Sequence, residues 1–521
     1  MRTLRLVGGI AGALAAALAV SACLHRPTDN PRILVVGIVN GPNNLDPRIG
    51  TDDVAQKASQ LMFNGLMKFD EHLRVVPDLA ERLDHPGATT YVATLRRGVR
   101  FHDGHELTSA DVVHTFRSLL DPGFLSPLKG AYRVLLAIDA RDRYTVVFTL
   151  REPFESFPAN LVIPPIVPEW AGPSFGLHPI GTGPYMFVRY VADDHLDLAR
   201  FANYFDGPPH NDGLVLKVVP DDIMRGLELR KGTMDIVVND LAPDIVFQLH
   251  ADASLQFAES PGTDYQYMGL NLRDPVLKDL RVRQALAYAI DRNAIVNYLR
   301  RGLATPANGF FPPTSWVAAP NLPRYDFDPA RARRVLDEAG YPDPDGDGPA
   351  PRLHLSLKVS NSEFNRLQGA VIQQNLRDVG IALDVRTYEF ATLYADVLRG
   401  NFQMYFLQWT AGAVADPDIL RRVFHSSQVP PVGFNRGYFQ NPEVDALIDR
   451  AGVSTDPTER RELFDRVQRI VAEQLPYISL WHKTNVAVAA STLTGVRIRP
   501  TADFTFLKDV ARTAPDASHG H

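Results

Sequence analysis

The sequence Leu95-Arg96-Arg97-Gly98-Val99-Arg100-Phe101-His102-Asp103-Gly104 is followed closely by Leu107-Thr108-Ser109-Ala110-Asp111-Val112-Val113. Thr108 and Asp111 have the spacing of a capping box, in which two side chains satisfy backbone N–H groups at the start of a helix. Apolar residues then recur at helical spacing, namely Val112, Val113, Phe116, Leu119 and Leu120. We therefore predict a helix that begins after Thr108, preceded by a turn at residues 102–106.

Segments on both sides of this turn alternate between strand and helix patterns. Runs rich in β-branched and aromatic residues, which are typical of strands, occupy residues 33–39, 144–150, 214–219, 353–359 and 404–409. Asp328, Asn441 and Asp456 each precede a proline, as an N-cap precedes the first residue of a helix. Apolar residues at helical spacing between 280 and 302 predict one long helix. The chain is therefore predicted to be mixed α/β.

Composition is that of a folded globular protein of several lobes. Of 521 residues, 45% are hydrophobic and 22% are charged, and this length suggests about two to four lobes. The net charge is −6 without a polybasic block, so we expect no nucleic-acid partner. With one cysteine in the sequence, no intramolecular disulfide can form.

The first residues have the layout of a secretory signal. Arg2 and Arg5 precede an apolar stretch at 6–20, and Val20-Ser21-Ala22-Cys23 resembles a bacterial lipobox, in which the thiol receives lipid. We expect a lipoprotein signal peptide at 1–22 and lipidation of Cys23, followed by a tether at 23–32. An uncleaved membrane anchor is the alternative. Both interpretations place the body of the protein outside the cytoplasm, attached to a membrane.

Three short motifs resemble reactive or metal sites. Gly172-Pro173-Ser174-Phe175-Gly176 matches a nucleophile elbow, but the surrounding prolines prevent the flanking strand and helix, so we interpret Ser174 as a loop residue. Asp343, Asp345 and Asp347 resemble a calcium loop whose closing position is His354 rather than Glu. His102 and His105 lie three apart around a glycine, which is not metalloprotease spacing. We therefore expect no catalytic residues, no metal site and no cofactor.

Several further segments follow in a characteristic order: Asn44-Leu45-Asp46-Pro47, Leu61-Met62-Phe63-Asn64-Gly65-Leu66, Pro179-Ile180-Gly181-Thr182-Gly183-Pro184-Tyr185, residues 279–292, Asn441-Pro442-Glu443-Val444-Asp445 and Leu475-Pro476-Tyr477-Ile478. Together with the segment quoted first, they resemble the extracellular solute-binding proteins of family 5, which serve ABC importers of peptides, nickel complexes and related solutes. The resemblance implies an α/β, two-lobed periplasmic-binding-protein clamp of the large three-subdomain type. Such a clamp has mixed sheets, a discontinuous first lobe and a hinge between the lobes.

On this resemblance we expect the chain to be divided at defined boundaries. The first lobe comprises residues 33–65, 181–268 and a return segment at 483–510. An inserted subdomain occupies 66–180, the second lobe occupies 269–482, and 511–521 form a flexible tail.

The resemblance implies a binding protein rather than an enzyme. We expect a monomer that captures a peptide or peptide-like solute between its lobes and delivers it to an ABC permease and its ATPase. A nickel or metal-chelate binder on the same fold is one alternative, and a sensory or chaperone-like lipoprotein is another. A secreted serine hydrolase that uses Ser174 is the alternative from a different class.

Peptide-binding members of the family resemble one another in an acidic residue, placed between a Trp and a following Asp-Pro, that holds the ligand's ammonium group. Here Trp409 and Asp416-Pro417 are present, but residues 410–415 contain no acid. Dipeptide binders also resemble one another in an Arg where this chain has Lys358-Val359-Ser360-Asn361, a segment in which Lys358 could substitute as a point charge. We therefore expect free dipeptides to bind weakly, and we interpret Asp46 and Asp416 as turn residues.

Aromatic walls with a few polar groups are typical of solute pockets. The residues that we expect to contact the solute are Trp409, Tyr265, Tyr267, Asn44 and Asn435.

Overall fold

The computed structural model of the protein describes residues 26–346, 348–410 and 416–513. The predicted signal peptide with Cys23, residue Asp347, the interval 411–415 and the end of the predicted tail lie outside the described residues. The strands are, in chain order, β1 (Ile33–Ile38), β2 (Met67–Phe69), β3 (Val75–Pro77), β4 (Ala80–Gly87), β5 (Thr90–Leu95), β6 (Leu135–Asp142), β7 (Thr145–Leu150), β8 (Tyr185–Val191), β9 (His195–Arg200), β10 (Gly213–Val218), β11 (Ile236–Val238), β12 (Leu255–Leu270), β13 (Ala304–Pro306), β14 (Leu353–Ser360), β15 (Ile381–Tyr388), β16 (Met404–Trp409), β17 (Tyr477–Ala490), β18 (Leu493–Thr494) and β19 (Ala511–Arg512).

The helices lie between these strands, which makes the described part of the chain mixed α/β as predicted. They are α1 (Asp53–Met62), α2 (Ser109–Leu120), α3 (Asp222–Lys231), α4 (Pro243–Leu249), α5 (Leu280–Ala289), α6 (Arg292–Ala294), α7 (Pro329–Glu338), α8 (Glu363–Arg377), α9 (Phe390–Arg399), α10 (Ile419–Phe424), α11 (Pro442–Val453) and α12 (Pro457–Gln474).

One long sheet runs through most of the molecule in the order β15-β14-β16-β12-β17-β11-β1-β10-β9-β8, with β13 paired to β17. Its strands are mixed in direction, since β1 is parallel to β10 and β11 whereas β12 is antiparallel to β16 and β17. Strand β17 supplies residues to four hydrophobic cores, because successive side chains of a strand point to opposite faces. Tyr477 and Ile478 enter two cores at one end of the sheet, whereas Val486 and Ala487 enter two others at the opposite end.

The long strands β12 and β17 therefore connect two separate lobes. Their pairing is broken between Pro261, opposite Thr484, and Tyr265, opposite His482, and the register shifts again between Gln266 and Tyr267. A break in register bends a strand locally and increases its twist. The lobes thus meet at an irregular point of a shared sheet rather than at a loose linker.

A second sheet, in the order β4-β5-β7-β6, forms a body of its own between α1 and β8. Helix α2 covers it, and Phe116 of the helix meets Phe148 of β7 edge to face at 5.3 Å between ring centroids. The capping box predicted for this helix is confirmed, since Thr108 N donates to Asp111 Oδ2 at 2.8 Å.

The helix starts predicted at Asp328, Asn441 and Asp456 are confirmed, each residue capping the helix that follows it. The single long helix predicted between 280 and 302 is wrong. Helix α5 ends at Ala289, and Ile290 is extended with ψ 117°. Asp291 then starts a new turn, because its carboxylate accepts from Ala294 N at 2.9 Å while its own N–H donates to Asn375. A tertiary contact thus interrupts a pattern that looks continuous in sequence.

Candidate functional site

Trp409 lies beside the connection between the lobes. It is the last residue of β16 and stands opposite Tyr265, the first residue of β12 after the register break. Its indole packs against Phe434 at 5.4 Å and Phe310 at 6.2 Å between ring centroids. The ring is 8% exposed, and its Nε1 is buried without a hydrogen-bond partner among the described residues.

Tyr265 and Tyr267 share one face of β12, which points into the second lobe. Tyr265 is hydrogen-bonded to Ser479 through their hydroxyl oxygens at 2.6 Å, and Tyr267 stacks on Tyr477 at 4.1 Å. Both tyrosines are buried, and the cavity lined by Tyr265 and Tyr477 has a volume of about 30 Å³. A cavity of this size holds a single small molecule such as water and is far too small for a peptide.

Asn435 is also fully buried, and its amide is occupied by the main chain. Its Nδ2 donates to Phe439 O at 2.7 Å and to His425 O at 3.2 Å, while its Oδ1 accepts from Phe439 N at 2.9 Å. The amide therefore braces the loop 434–439 rather than offering free donors at the surface.

Asn44 is in the first lobe, in the loop between β1 and α1, and is half-buried. Its Oδ1 accepts from Asp46 N at 2.8 Å, which closes a tight turn. The same oxygen lies so close to Gly176 that a Cβ at this glycine would approach it to 2.5 Å. Asn44 thus joins the turn to the loop at 172–178.

Arg436, next to Asn435, is a residue that we did not predict. It is 4% exposed, donates from Nη1 to Tyr267 at 3.2 Å and from Nη2 to Tyr394 at 3.1 Å, and stands 5.2 Å from the Trp409 ring centroid. In the sequence, Arg436 is distinguished only by following Asn435, which we predicted to contact the solute. Burial is what makes it notable, and burial is not visible in the sequence.

Asp416 and Asp418 follow Trp409 in the sequence, and both are half-buried. Asp416 forms the predicted turn, since its Oδ1 accepts from Asp418 N at 2.8 Å. Burial raises the pKa of Asp416, and burial together with the adjacent Asp416 raises the pKa of Asp418 to about 7. These carboxylates therefore lie in surroundings that disfavour negative charge.

Lys358, at the place where dipeptide binders have Arg, is already paired. Its ammonium donates to Asp396 Oδ2 at 2.6 Å, and both side chains are largely buried. A neutralised lysine is a poor partner for a ligand carboxylate.

The second lobe also contacts the four-stranded body at a distance from β12 and β17. Trp316 N donates to His72 O at 3.2 Å, Glu155 N donates to Gly452 O at 3.1 Å, and Arg460 donates from Nη2 to Ser156 Oγ at 3.2 Å. These three hydrogen bonds join main-chain and polar side-chain groups rather than apolar core residues. Such a contact can open without exposing a core.

Ser174 is exposed and stands before the short 3₁₀ turn Phe175–Leu177, without the strand and helix of a nucleophile elbow. His102 holds the loop of Gly181 and Gly183: it accepts from Gly181 N at 3.2 Å through Nδ1, and its Nε2 lies 3.0 Å from Gly183 O. Burial lowers its pKa to about 4, so the ring is neutral. Ser174 is thus part of an exposed turn, and His102 braces a neighbouring loop.

Helices of the described segments lack the combined length and apolarity needed to cross a bilayer. In the same segments, no group of three or more His, Cys, Asp or Glu side chains is arranged to hold a metal ion.

Comparison with known proteins gives consistent matches over nearly the whole chain. The glutathione-binding protein GsiB of Salmonella choleraesuis (strain SC-B67) is 30% identical over 486 residues, which cover 91% of this chain and 93% of that protein. The oligopeptide-binding protein AppA from Bacillus subtilis, solved in complex with a nonapeptide, is 26% identical with a TM-score of 0.74 and covers 92% of this chain and 99% of its own. HbpA2 from Haemophilus parasuis is 26% identical with a TM-score of 0.82, and the match covers 92% of this chain and 100% of HbpA2.

These likenesses confirm the two-lobed α/β clamp predicted from the sequence motifs. The family model of the bacterial extracellular solute-binding proteins, family 5 Middle, matches residues 74–430. The chain therefore belongs to the family 5 bacterial extracellular solute-binding proteins, which are the solute-capturing components of ABC importers.

Proposed function

We propose that this protein captures a peptide or peptide-like solute between its two lobes and hands it to an ABC permease driven by its ATPase. The observation that carries the proposal is the register break in the β12–β17 ladder directly beside Trp409. It provides a bend between two independently packed lobes next to an aromatic ring. Two relatives, a glutathione-binding protein and an oligopeptide-binding protein, support a peptide-like solute class.

The closed state is favoured by a solute that contacts both lobes, because that solute binds the closed form better than the open one. The contacts at Trp316, Gly452 and Arg460 would close together with the lobes, since they join the second lobe to the four-stranded body.

The division that we propose keeps residues 66–180 as an inserted subdomain and 269–482 as the second lobe. The pairing around Pro261 and His482 is consistent with boundaries in this region.

We further propose that the protein works outside the cytoplasm as a lipoprotein held to a membrane through Cys23. The lipobox-like sequence Val20-Ser21-Ala22-Cys23 supports this. Cys23→Ser should remove incorporation of labelled palmitate and release the chain from the membrane fraction. Retention of Cys23→Ser in that fraction would instead favour an uncleaved anchor.

The protein acts, on this proposal, as a binding protein without catalysis. A fluorophosphonate probe should leave the native chain unlabelled, because exposed Ser174 lacks the local structure of a nucleophile elbow. Labelling that disappears in Ser174→Ala would establish the hydrolase alternative.

Native mass spectrometry of the full chain, isolated from its host as processed there and held in mild detergent, tests the solute class. We expect the mass of one chain plus additional masses that dissociate on mild denaturation and fragment as peptides or modified peptides. A single discrete non-peptide mass, such as a metal chelate, would contradict the proposal and favour the nickel-binding alternative. A mass of two chains would contradict the expected monomer.

A further inference from the structure

Arg436 has a surrounding that is unusual for a buried arginine. The loop that carries it is held by Asn435 and by Gly437, whose carbonyl accepts from Leu272 N at 2.9 Å. These bonds fix the main chain on both sides of Arg436. Its two terminal nitrogens are each bound to a phenol oxygen, that of Tyr267 and that of Tyr394.

Aromatic rings form the remaining surroundings. The guanidinium carbon stands 5.0 Å from the Phe434 centroid, 5.2 Å from the Tyr394 centroid and 5.2 Å from that of Trp409. Within residues 26–346, 348–410 and 416–513, no carboxylate forms an ion pair with Arg436, and its buried Nε lacks an acceptor. Residues 411–415, which follow β16, contain no acidic side chain in the sequence.

The charge of this guanidinium is thus not neutralised by the protein. Burial raises the pKa of Tyr267, so its hydroxyl is a neutral phenol and supplies a dipole rather than a counter-charge. Contacts with aromatic faces stabilise a cation by only about 0.5–2 kcal/mol each. Burial of an arginine without an anion costs several kcal/mol, and proteins usually avoid it by pairing the charge.

Two donors without partners among the described residues, Arg436 Nε and Trp409 Nε1, belong to side chains in contact, since the guanidinium carbon lies 5.2 Å from the Trp409 ring centroid. Half-buried Phe434 and Tyr394 border the outer side of the guanidinium, and exposed Phe390 stacks on Tyr394 at 5.9 Å. Solvent therefore reaches the rings that cover the guanidinium. A planar anion such as a carboxylate matches donors of this kind, since charge-assisted hydrogen bonds to Arg are short and strong.

We propose that Arg436, with Trp409 Nε1 as a second donor, binds a carboxylate of the solute, so that this protein recognises its ligand by an anionic group rather than by its ammonium. The inference rests on the proposed function, and it names the carboxylate as the group of the solute that the second lobe selects. Acidic peptides and peptides with a free carboxyl end belong to this class.

Titration calorimetry of the full chain with two matched pairs of probes tests the inference. The pairs are glutathione with its dimethyl ester, and Ala-Ala-Ala with its C-terminal amide. Each pair keeps the free amine and differs in carboxylate charge. We expect the acid of at least one pair to bind about 10- to 100-fold tighter than its neutral partner, the range of a hydrogen bond to a charged group.

Arg436→Gln should abolish this preference, and Arg436→Lys should retain part of it. Arg422→Gln is the matched control, because Arg422 is exposed and stacks on the same Phe434 ring at 4.5 Å. It should leave the preference unchanged. Thermal unfolding of each variant shows whether it is folded. If Arg436→Gln fails to fold, the inference is still tested by the affinities of the wild-type chain for acid and neutral probes and by Arg436→Lys.

The outcomes separate the inference from the proposed function. Equal affinity for acid and neutral partner, or a preference that persists in folded Arg436→Gln, would overturn the inference while the proposed function stands. Failure of all four probes to bind the wild-type chain would count against both.

Discussion

Asp46 and Arg48 form an ion pair in the first lobe in which each side chain is 1% exposed. Arg48 donates from Nη2 to Asp46 Oδ2 at 2.7 Å and from Nε to Oδ1 at 3.0 Å. The same guanidinium donates from Nη1 to Ser118 of α2 at 3.1 Å. The pair therefore fastens the turn after Asn44 to the four-stranded body.

Asp46→Asn should destabilise the protein by about 3–5 kcal/mol, because it leaves a buried guanidinium without its counter-charge. Denaturant unfolding measures the loss. Asp84→Asn is the control: Asp84 pairs with Arg82 at the same spacing in reverse order, but on the surface, where we expect a loss below about 1 kcal/mol. Similar losses in the two variants would contradict the importance of the buried pair.

Gly183→Ala should lower the midpoint of thermal unfolding by several degrees. A Cβ at Gly183 would lie 2.4 Å from the carbonyl carbon of Met62, where α1 ends, so backbone must move. Overpacking of this kind costs about 1–3 kcal/mol. Gly172→Ala, where a Cβ meets nothing within 4 Å, should leave the midpoint unchanged. An unaltered midpoint in Gly183→Ala would show that the loop at 181–183 can shift freely.

Asp418→Asn should stabilise the protein at pH 8 and have a smaller effect at pH 5. Burial and the adjacent Asp416 raise the pKa of Asp418 to about 7, whereas an unfolded Asp titrates near 3.9. Between these values the folded chain keeps a proton that the unfolded chain has lost, so this group reduces stability as pH rises from about 4 to 7. We expect a gain of about 1–3 kcal/mol at pH 8, measured by denaturant unfolding. A gain that is equal at both pH values would contradict the raised pKa.

Trp409→Ala should weaken solute binding by at least about tenfold, the loss typical of a buried aromatic contact at a binding site. The measurement is calorimetry with the solute recovered by native mass spectrometry. Trp170→Ala is the control, since Trp170 is 50% exposed and packs near Phe175 of the loop at 172–178. Undiminished binding in folded Trp409→Ala would assign the indole to the core alone.

Ala-Ala should bind with a Kd weaker than about 1 mM. The position expected to hold its carboxylate carries Lys358, which is paired with Asp396, and no acid lies between residues 410 and 415 to hold its ammonium. Titration calorimetry checks this, and micromolar or tighter binding of Ala-Ala would contradict it.

Family, α/β class and most helix starts followed from the sequence because their signals act over a few residues. The capping box at Thr108 and Asp111 is one example, since a side chain three positions away can satisfy a helix N–H whatever the rest of the chain does. The motif order around it was enough to predict the two-lobed clamp. The break after Ala289 was not visible, because it depends on Asn375 in another helix.

Tertiary structure alone decided which polar side chains remain available. The amide of Asn435 is occupied by neighbours on its own loop, Lys358 is neutralised by Asp396, and Arg436 is enclosed by Tyr267 and Tyr394. Tyr267 is 169 positions from Arg436 in the chain. Burial and charge pairing depend on such distant partners, so residue type determined what each side chain can do and the fold determined what it is left free to bind.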